Sequence, residues 1–319
     1  MTLGASVGLK MGKATRDAFG EALRALGVDH PDLFVVDGDV GNSTRTEWFA
    51  KDFPDRFYNV GIAESNLVSV ASGIAATGKT VVAASFAAFL MCNAYDQIRM
   101  SVAFPHLNVK LVGSHAGISI GEDGPSQMGI EDVALACALP GMTVIVPSDE
   151  HQTRAAVRAL MGHEGPAYLR VGRPAVPQIY DEHVSFEIGK AITLREGSDI
   201  TLIADGIMVA AALEAAEQLA KDNIDARVLD MPTVKPIDIE ALTAAARETG
   251  AIVVAEEHLH HGGLGSVVAM ELARIQPCRM RFVDLKDTFA TSGTAELLLE
   301  HYGLTGQDIV TAARELVGS

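Results

Sequence analysis

Three stretches of this sequence set acidic, polar or basic residues in glycine-rich loops, where a rigid scaffold can present side chains for chemistry. The first is Val36-Asp37-Gly38-Asp39-Val40-Gly41-Asn42-Ser43-Thr44. The second, Asn59-Val60-Gly61-Ile62-Ala63-Glu64-Ser65-Asn66, places Glu64 on the first turn of an apolar helix. The third runs from Gly113 to Met128 and holds His115, Glu122, Asp123 and Gln127. A carboxylate such as Glu64 can serve as a base or hydrogen-bond acceptor, or simply gain ~0.3–1 kcal/mol from the helix dipole. Asp39 reads equally as a turn residue and His115 as a hydrogen-bonded loop histidine. Phe86 and Phe89, at i and i+3, fit ordinary core packing. On residue type and spacing alone these alternatives stay open.

The elements that must position these loops alternate between short β-rich runs and helix-period runs, the pattern of parallel sheets covered by helices. Lys13–Gly27 reads as a helix and Leu33–Asp37 as a buried strand. A small-residue helix follows Glu64 to near Gly78, then a strand over Thr80–Ala84 and a helix from Ala87 to Phe104. Asn108–Gly113 and Thr143–Val146 read as strands, and Pro-Ser-Asp after the latter as a helix N-cap for a helix ending at Met161. Ala167–Val171 closes the block, and Gly172–Glu187 is expected to be a linker. A second block follows: strands Asp199–Ala204, Asp225–Leu229, Ala251–Ala255 and Met280–Asp284 alternate with helices Ile207–Lys221, Ile237–Thr249 and Gly263–Ile275. The expectation is an α/β chain of two doubly wound, mostly parallel sheet domains, 10–178 and 188–319, with ligands at the carboxyl ends of strands.

Composition narrows the partners. With 25 basic and 41 acidic residues the net charge is −16, so no basic stripe for nucleic acid or an anionic membrane surface is expected. A hydrophobic fraction of 48% excludes a disordered chain. The longest charge-free run near the middle, Thr80–Tyr95, falls short of the ~20 residues of a membrane-spanning helix, and no signal peptide is read at the start. Cys92, Cys137 and Cys278 lie far apart in no ligand spacing, which fits a reducing cytoplasm.

The motifs GIAES, SFAAF with AYDQIR, GSHAGISIGEDGPSQM and LRVGRP together resemble the C-terminal half of transketolase, a thiamin-diphosphate enzyme that moves two-carbon ketol units between sugar phosphates. The likeness runs from about Met11 to Leu316, and GEDGPSQM is closest to the animal-type branch. It implies that Glu64 hydrogen-bonds the cofactor's pyrimidine N1′, favouring the imino tautomer that deprotonates the thiazolium. It implies a cofactor pocket of Phe86, Phe89 and Asp39, although Leu90–Asn93 carries one residue more than the animal sequences. Arg16, Ser43, His115 and Arg173 match sugar-phosphate positions, where guanidiniums give charge-assisted bonds to a dianion. Asp123 matches a residue that reads a sugar hydroxyl. Gln127, counted with Glu64 among the catalytic positions, stands where yeast- and bacterial-type relatives have histidine; it can hydrogen-bond but not shuttle a proton at neutral pH.

Two other features are set aside. Gly263-Leu264-Gly265 resembles a nucleotide loop, but strand-to-helix packing explains its glycines. His258, His260 and His261 with Glu256 and Glu257 read as a polar loop, with a subunit contact as its expected setting, rather than a metal site.

Gly38-Asp39-Val40 with Asn66 approaches the diphosphate and metal signature of the family but has valine in place of the second glycine. The resemblance therefore implies a transferase subunit of a split transketolase. It would work with a separate N-terminal subunit that holds the diphosphate and Mg2+ or Ca2+, as a heterotetramer. The alternatives are the beta subunit of a 2-oxo acid dehydrogenase decarboxylase component, half of a deoxyxylulose-phosphate synthase, or a non-catalytic paralogue.

Overall fold

The computed structural model describes residues 3–318. Its strands are β1 (Met11–Ala14), β2 (Leu33–Asp37), β3 (Phe57–Asn59), β4 (Thr80–Phe86), β5 (Val109–Ser114), β6 (Thr143–Ile145) and β7 (Ala167–Arg170). They continue with β8 (Ala175–Pro177), β9 (Ile192–Arg195), β10 (Ile200–Ala204), β11 (Ala226–Asp230), β12 (Thr233–Lys235), β13 (Ala251–Ala255) and β14 (Arg279–Val283). A seven-stranded sheet has the order β12-β6-β7-β5-β4-β2-β3, a five-stranded sheet the order β14-β13-β10-β11-β9, and β1 pairs with β8. Within the two large sheets only the pairs β12 with β6 and β11 with β9 are antiparallel. The mostly parallel α/β architecture is as expected.

Strands β5, β10 and β13 are buried from end to end, as central strands of sheets covered on both faces are. On one face of the first sheet Val35, Val82, Ala84 and Val112 pack with Phe19 and Leu23 of the helix Thr15–Asp29 and with Ala156 and Leu160 of Glu150–Met161. The alternate residues Val36, Val81, Ala83 and Leu111 pack on the other face with Leu67, Val68 and Ala71 of the helix Glu64–Ala75. Period-two alternation thus feeds two helical layers. The expected N-cap is present: Asp149 Oδ1 accepts from Gln152 N at 2.8 Å.

Several expectations are corrected. The helix predicted from Lys13 starts at Thr15, because Met11–Ala14 is a strand paired with Ala175–Pro177 from the segment read as a linker. The helix predicted over Ala87–Phe104 is broken at Ala94, then passes through a short turn into a π-helical stretch over Ile98–Ala103. At the break the Asn93 carbonyl accepts from Ser65 Oγ at 3.1 Å, so an orphaned acceptor is satisfied from outside the helix. The helices Asp132–Cys137, Ala295–His301 and Gly306–Val317 had no sequence assignment.

The two halves also interlock. Strand β12 comes from the second block yet adds to the edge of the first sheet, where Lys235 Nζ donates to Cys137 O (2.9 Å) and Leu139 O (2.6 Å). One apolar core includes Leu67 and Leu111 together with Leu229, Val234 and Val254. Glu256, Glu257 and His258, read as part of a polar loop, are instead buried at 2%, 5% and 1% exposure. Glu256 accepts from Leu264 N and Gly265 N at 2.7 Å each, so the anion at the Gly263-Leu264-Gly265 turn is the chain's own carboxylate. Among the described residues no helix is long and apolar enough to cross a membrane.

Candidate active site

The loops singled out in the sequence all leave the carboxyl ends of strands in the first sheet, where an open α/β sheet offers a crevice. Asp37, buried at the end of β2, organises the first of them. Its carboxylate accepts from Val40 N (2.8 Å), Thr44 Oγ1 (2.8 Å) and Thr46 Oγ1 (2.7 Å). Burial pushes the Asp37 carboxyl up, against the pull of the two threonine hydroxyls. This clamp carries Asp39 and Ser43 on the same turn. Sequence reasoning did not single it out, although an aspartate ending an apolar strand was its signal.

The geometry brings Phe86, Phe89, His115, Arg16 and Ser43 into one chain of contacts. Phe86, at the end of β4, stacks on His115 (centroids 4.0 Å, planes 16° apart) and on Phe89 (5.5 Å, 12°). Arg16 Nη1 donates to Ser43 O at 3.2 Å and lies 3.0 Å from His115 Nε2. A guanidinium has no lone pair to offer, so Nε2 is the acceptor and the ring proton sits on Nδ1, which donates to Ser114 Oγ at 2.8 Å. Burial, then the positive charges of Arg16, Arg173 and Arg45, depress the His115 pKa to about 3. His115 is therefore a neutral, tautomer-fixed ring at neutral pH.

Arg16 is the conspicuous unfinished group. Its Nε is buried with no hydrogen-bond partner, and Asp17 Oδ1 stands 3.9 Å away. Burial and the neighbouring Arg45 lower its pKa, the response of a cation short of counter-charge. Arg16 N bonds Gly172 O (3.3 Å) and Gly172 N bonds Thr15 Oγ1 (2.7 Å), which brings Arg173 beside it. Arg173 Nη1 donates to Ile120 O at 2.7 Å and stands 3.8 Å from Asp123 Oδ2. Arg45, missed in the sequence, completes the cationic group, with Nε on Asp17 Oδ1 at 2.6 Å. An anion with several oxygens fits such a set of donors.

Glu64 begins its helix as predicted and is only 8% exposed. Among the described residues its carboxylate has no hydrogen-bond or ion-pair partner. Its neighbour Ser65 bonds Asn93 O, at the end of the helix that carries Phe89. Two predicted residues stand apart from the aromatic chain. Asp39 (φ 67°) is exposed and accepts from Asn59 Nδ2 at 2.7 Å, on the rim of an open cavity of about 420 Å³. Gln127 is half-buried, and among the described residues its side chain hydrogen-bonds only Ser126, whose Oγ donates to Oε1 at 2.6 Å. A larger cavity of about 610 Å³, lined by Glu214, Leu299 and Thr305 among others, lies in the second half of the chain away from this cluster. Among the described residues no group of three His, Cys, Asp or Glu side chains is placed to hold a metal ion.

Known proteins resemble this chain along most of its length. The model for the transketolase pyrimidine binding domain matches residues 11–178, and that for the transketolase C-terminal domain matches 189–309. A putative transketolase C-terminal section from Methanocaldococcus jannaschii is 42% identical over 95% of this chain and 96% of its own. The 6-deoxy-6-sulfo-D-fructose transketolase subunit SqwH of Clostridium sp. is 42% identical over 94% of each. A solved split gene transketolase, an inactive beta4 tetramer, superposes with a TM-score of 0.90 at 47% identity, covering 96% of this chain and 99% of that one. With both family models together spanning nearly all of the described fold, the chain belongs to the transketolase family.

Proposed function

We propose that this chain is the C-terminal subunit of a split, thiamin-diphosphate-dependent transketolase, and that it transfers a two-carbon ketol unit from a ketose phosphate to an aldose phosphate. Relatives named as a C-terminal section and as transketolase subunits, matched over nearly their whole length, support the split arrangement. The observation that carries the chemistry is Glu64: a carboxylate 8% exposed, at a helix N-terminus, with no partner among the described residues. An unpartnered carboxylate at that position keeps its acceptor capacity free for an incoming ring N–H.

Thiamin diphosphate, when bound, supplies a thiazolium that stabilises a carbanion. Glu64 would accept or hold a proton at the pyrimidine ring nitrogen, and Phe86 and Phe89 would offer apolar ring faces to it. Asp39, held by Asn59, would reach the cofactor from the rim of its loop. Arg16, Ser43, His115 and Arg173 would bind the phosphate end, with neutral His115 holding Arg16 in place through Nε2. Asp123 and Gln127 would hydrogen-bond sugar hydroxyls. The diphosphate and its Mg2+ or Ca2+ belong to a separate N-terminal subunit, in a cytoplasmic heterotetramer.

The test is ketol transfer with the purified chain alone and with its N-terminal partner, in thiamin diphosphate and Mg2+, using a ketose phosphate or a 2-oxo acid as donor. Transfer only in the complex and only from the ketose phosphate is expected. Glu64→Gln in that complex is expected to lower the rate by at least ~100-fold, the scale of a lost acid–base group. Full activity of the chain alone would remove the split reading, and turnover of the 2-oxo acid instead would reassign the reaction.

A further inference from the structure

Outside the cluster, one of the contacts between the two halves of the chain is made by the loop 117–129 that bears Asp123 and Gln127. Its apolar residues Ile118, Ile120 and Met128 are buried with Ile200, Leu202 and Val253, in the core of the second sheet rather than the first. Glu257, just past β13, aims its carboxylate at this loop. Oε1 accepts from Ser119 N at 2.5 Å and Oε2 from Ser119 Oγ at 3.2 Å. Gly117 has φ 79°, and a Cβ there would lie 2.2–2.4 Å from the Glu257 carboxyl atoms, so this approach requires glycine. Further along, a Cβ on Gly124 would meet Ser292 Oγ at 2.4 Å. Arg170, 7% exposed, ties the far end: Nη2 donates to Gly129 O (3.0 Å) and to Glu257 O (2.9 Å). Arg173 is bound to the same loop through Ile120 O at 2.7 Å.

We propose that Glu257 is a positioning residue: through it the C-terminal half of the chain holds the loop that presents Asp123 and Gln127, and with them Arg173, to the sugar phosphate. The proposal rests on the function proposed above. Its physical basis is that a buried carboxylate accepting a backbone N–H and the adjacent hydroxyl fixes both the position and the direction of the loop. The segment it holds still leaves Glu122, Asp123, Pro125 and Ser126 exposed for ligand contact. Loop placement matters steeply, because a shift of about 1 Å in a substrate-orienting group costs on the order of 100-fold in rate.

The experiment compares wild type, Glu257→Ala, Glu257→Gln and Ser119→Ala. Amide hydrogen exchange is read on the chain, and ketol-transfer kinetics on the complex with the N-terminal partner. For Glu257→Ala, faster exchange confined to 117–129 is expected. In the complex, kcat/KM for the phosphosugar should fall by at least ~10-fold, with thiamin diphosphate affinity and subunit assembly within about twofold of wild type. Glu257→Gln keeps an acceptor for Ser119 N and should restore most of both. Should the alanine variant fail to fold, glutamine and Ser119→Ala carry the test, with smaller loop-confined increases expected. Wild-type exchange in every variant that folds would overturn the proposal. So would faster exchange spread over both sheets with a parallel loss of cofactor affinity, the mark of a merely structural residue. If the wild-type complex transfers no ketol unit, the functional reading fails, while the exchange measurement still decides whether Glu257 holds the loop.

Discussion

Replacing Asp230 with asparagine tests how the two halves of the chain are joined. Asp230 ends β11 and is 0% exposed. Its Oδ2 accepts from Ser148 Oγ (3.1 Å), Gln152 Nε2 (2.7 Å) and Tyr180 Oη (2.6 Å), donors from the first block and the connecting segment. Its Oδ1 is buried without a partner. Burial is the largest influence and raises the pKa from 3.8 to about 7, against those three donors and with help from Asp149. A rise of that size corresponds to about 4 kcal/mol. The native state keeps a proton that the unfolded chain has lost between these two values. This group's contribution therefore falls as pH rises from 4 to 7, and the full penalty is present above 7. Asp230→Asn retains an acceptor for the three donors without the charge. Weaker neutral bonds and an amide in the orphaned position return ~1–3 kcal/mol of that gain. The expected outcome in urea unfolding is a variant more stable than wild type at pH 8 by about 1–3 kcal/mol, with the gap closing on acidification and the variant the less stable of the two near pH 4. A less stable variant at pH 8, or a gap that does not change between pH 5 and 8, would refute the reasoning.

Two further outcomes follow from the same physics. The His115 ring should show no titration between pH 5 and 8 by NMR, since its pKa is depressed from 6.5 to about 3. Its contribution to stability is intact above 6.5 and is lost as pH falls towards 3; a midpoint near 6.5 would contradict the buried Arg16 contact. Gly113→Ala should destabilise the first sheet by ~1–3 kcal/mol, because the new Cβ would lie 2.1 Å from Tyr168 Oη. Tyr168 is fully buried and bonded to Asp132 Oδ2 at 2.6 Å, so it has nowhere to retreat; a change under ~0.5 kcal/mol in urea unfolding counts against this packing.

The elements themselves were largely legible in the residue order. Leu33–Asp37 and Ala251–Ala255 form strands with the bounds read from the sequence, and Glu150–Met161 starts beside its Asp149 cap, because apolar periodicity and capping act over a few neighbours. Glu64 was found at its helix start for the same local reason. What the sequence concealed depends on partners far along the chain. Thr233–Lys235 is three residues with a lysine, and it becomes a strand only because the edge of β6 is there to pair with. Glu256, Glu257 and His258 look like a solvated polar loop until the two halves pack together and bring Leu264 N, Ser119 N and Ala134 N to them as partners. The candidate site divides along the same line. Its residue types and their order were set by the sequence, which by itself determined the α/β layers and the loops that carry them. The stacking of Phe86 on His115, the grip of Arg16 on that ring and the hold of Glu257 on the loop 117–129 were decided by strand order and interlocked cores. Such contacts join residues tens to hundreds of positions apart, and no local pattern encodes them.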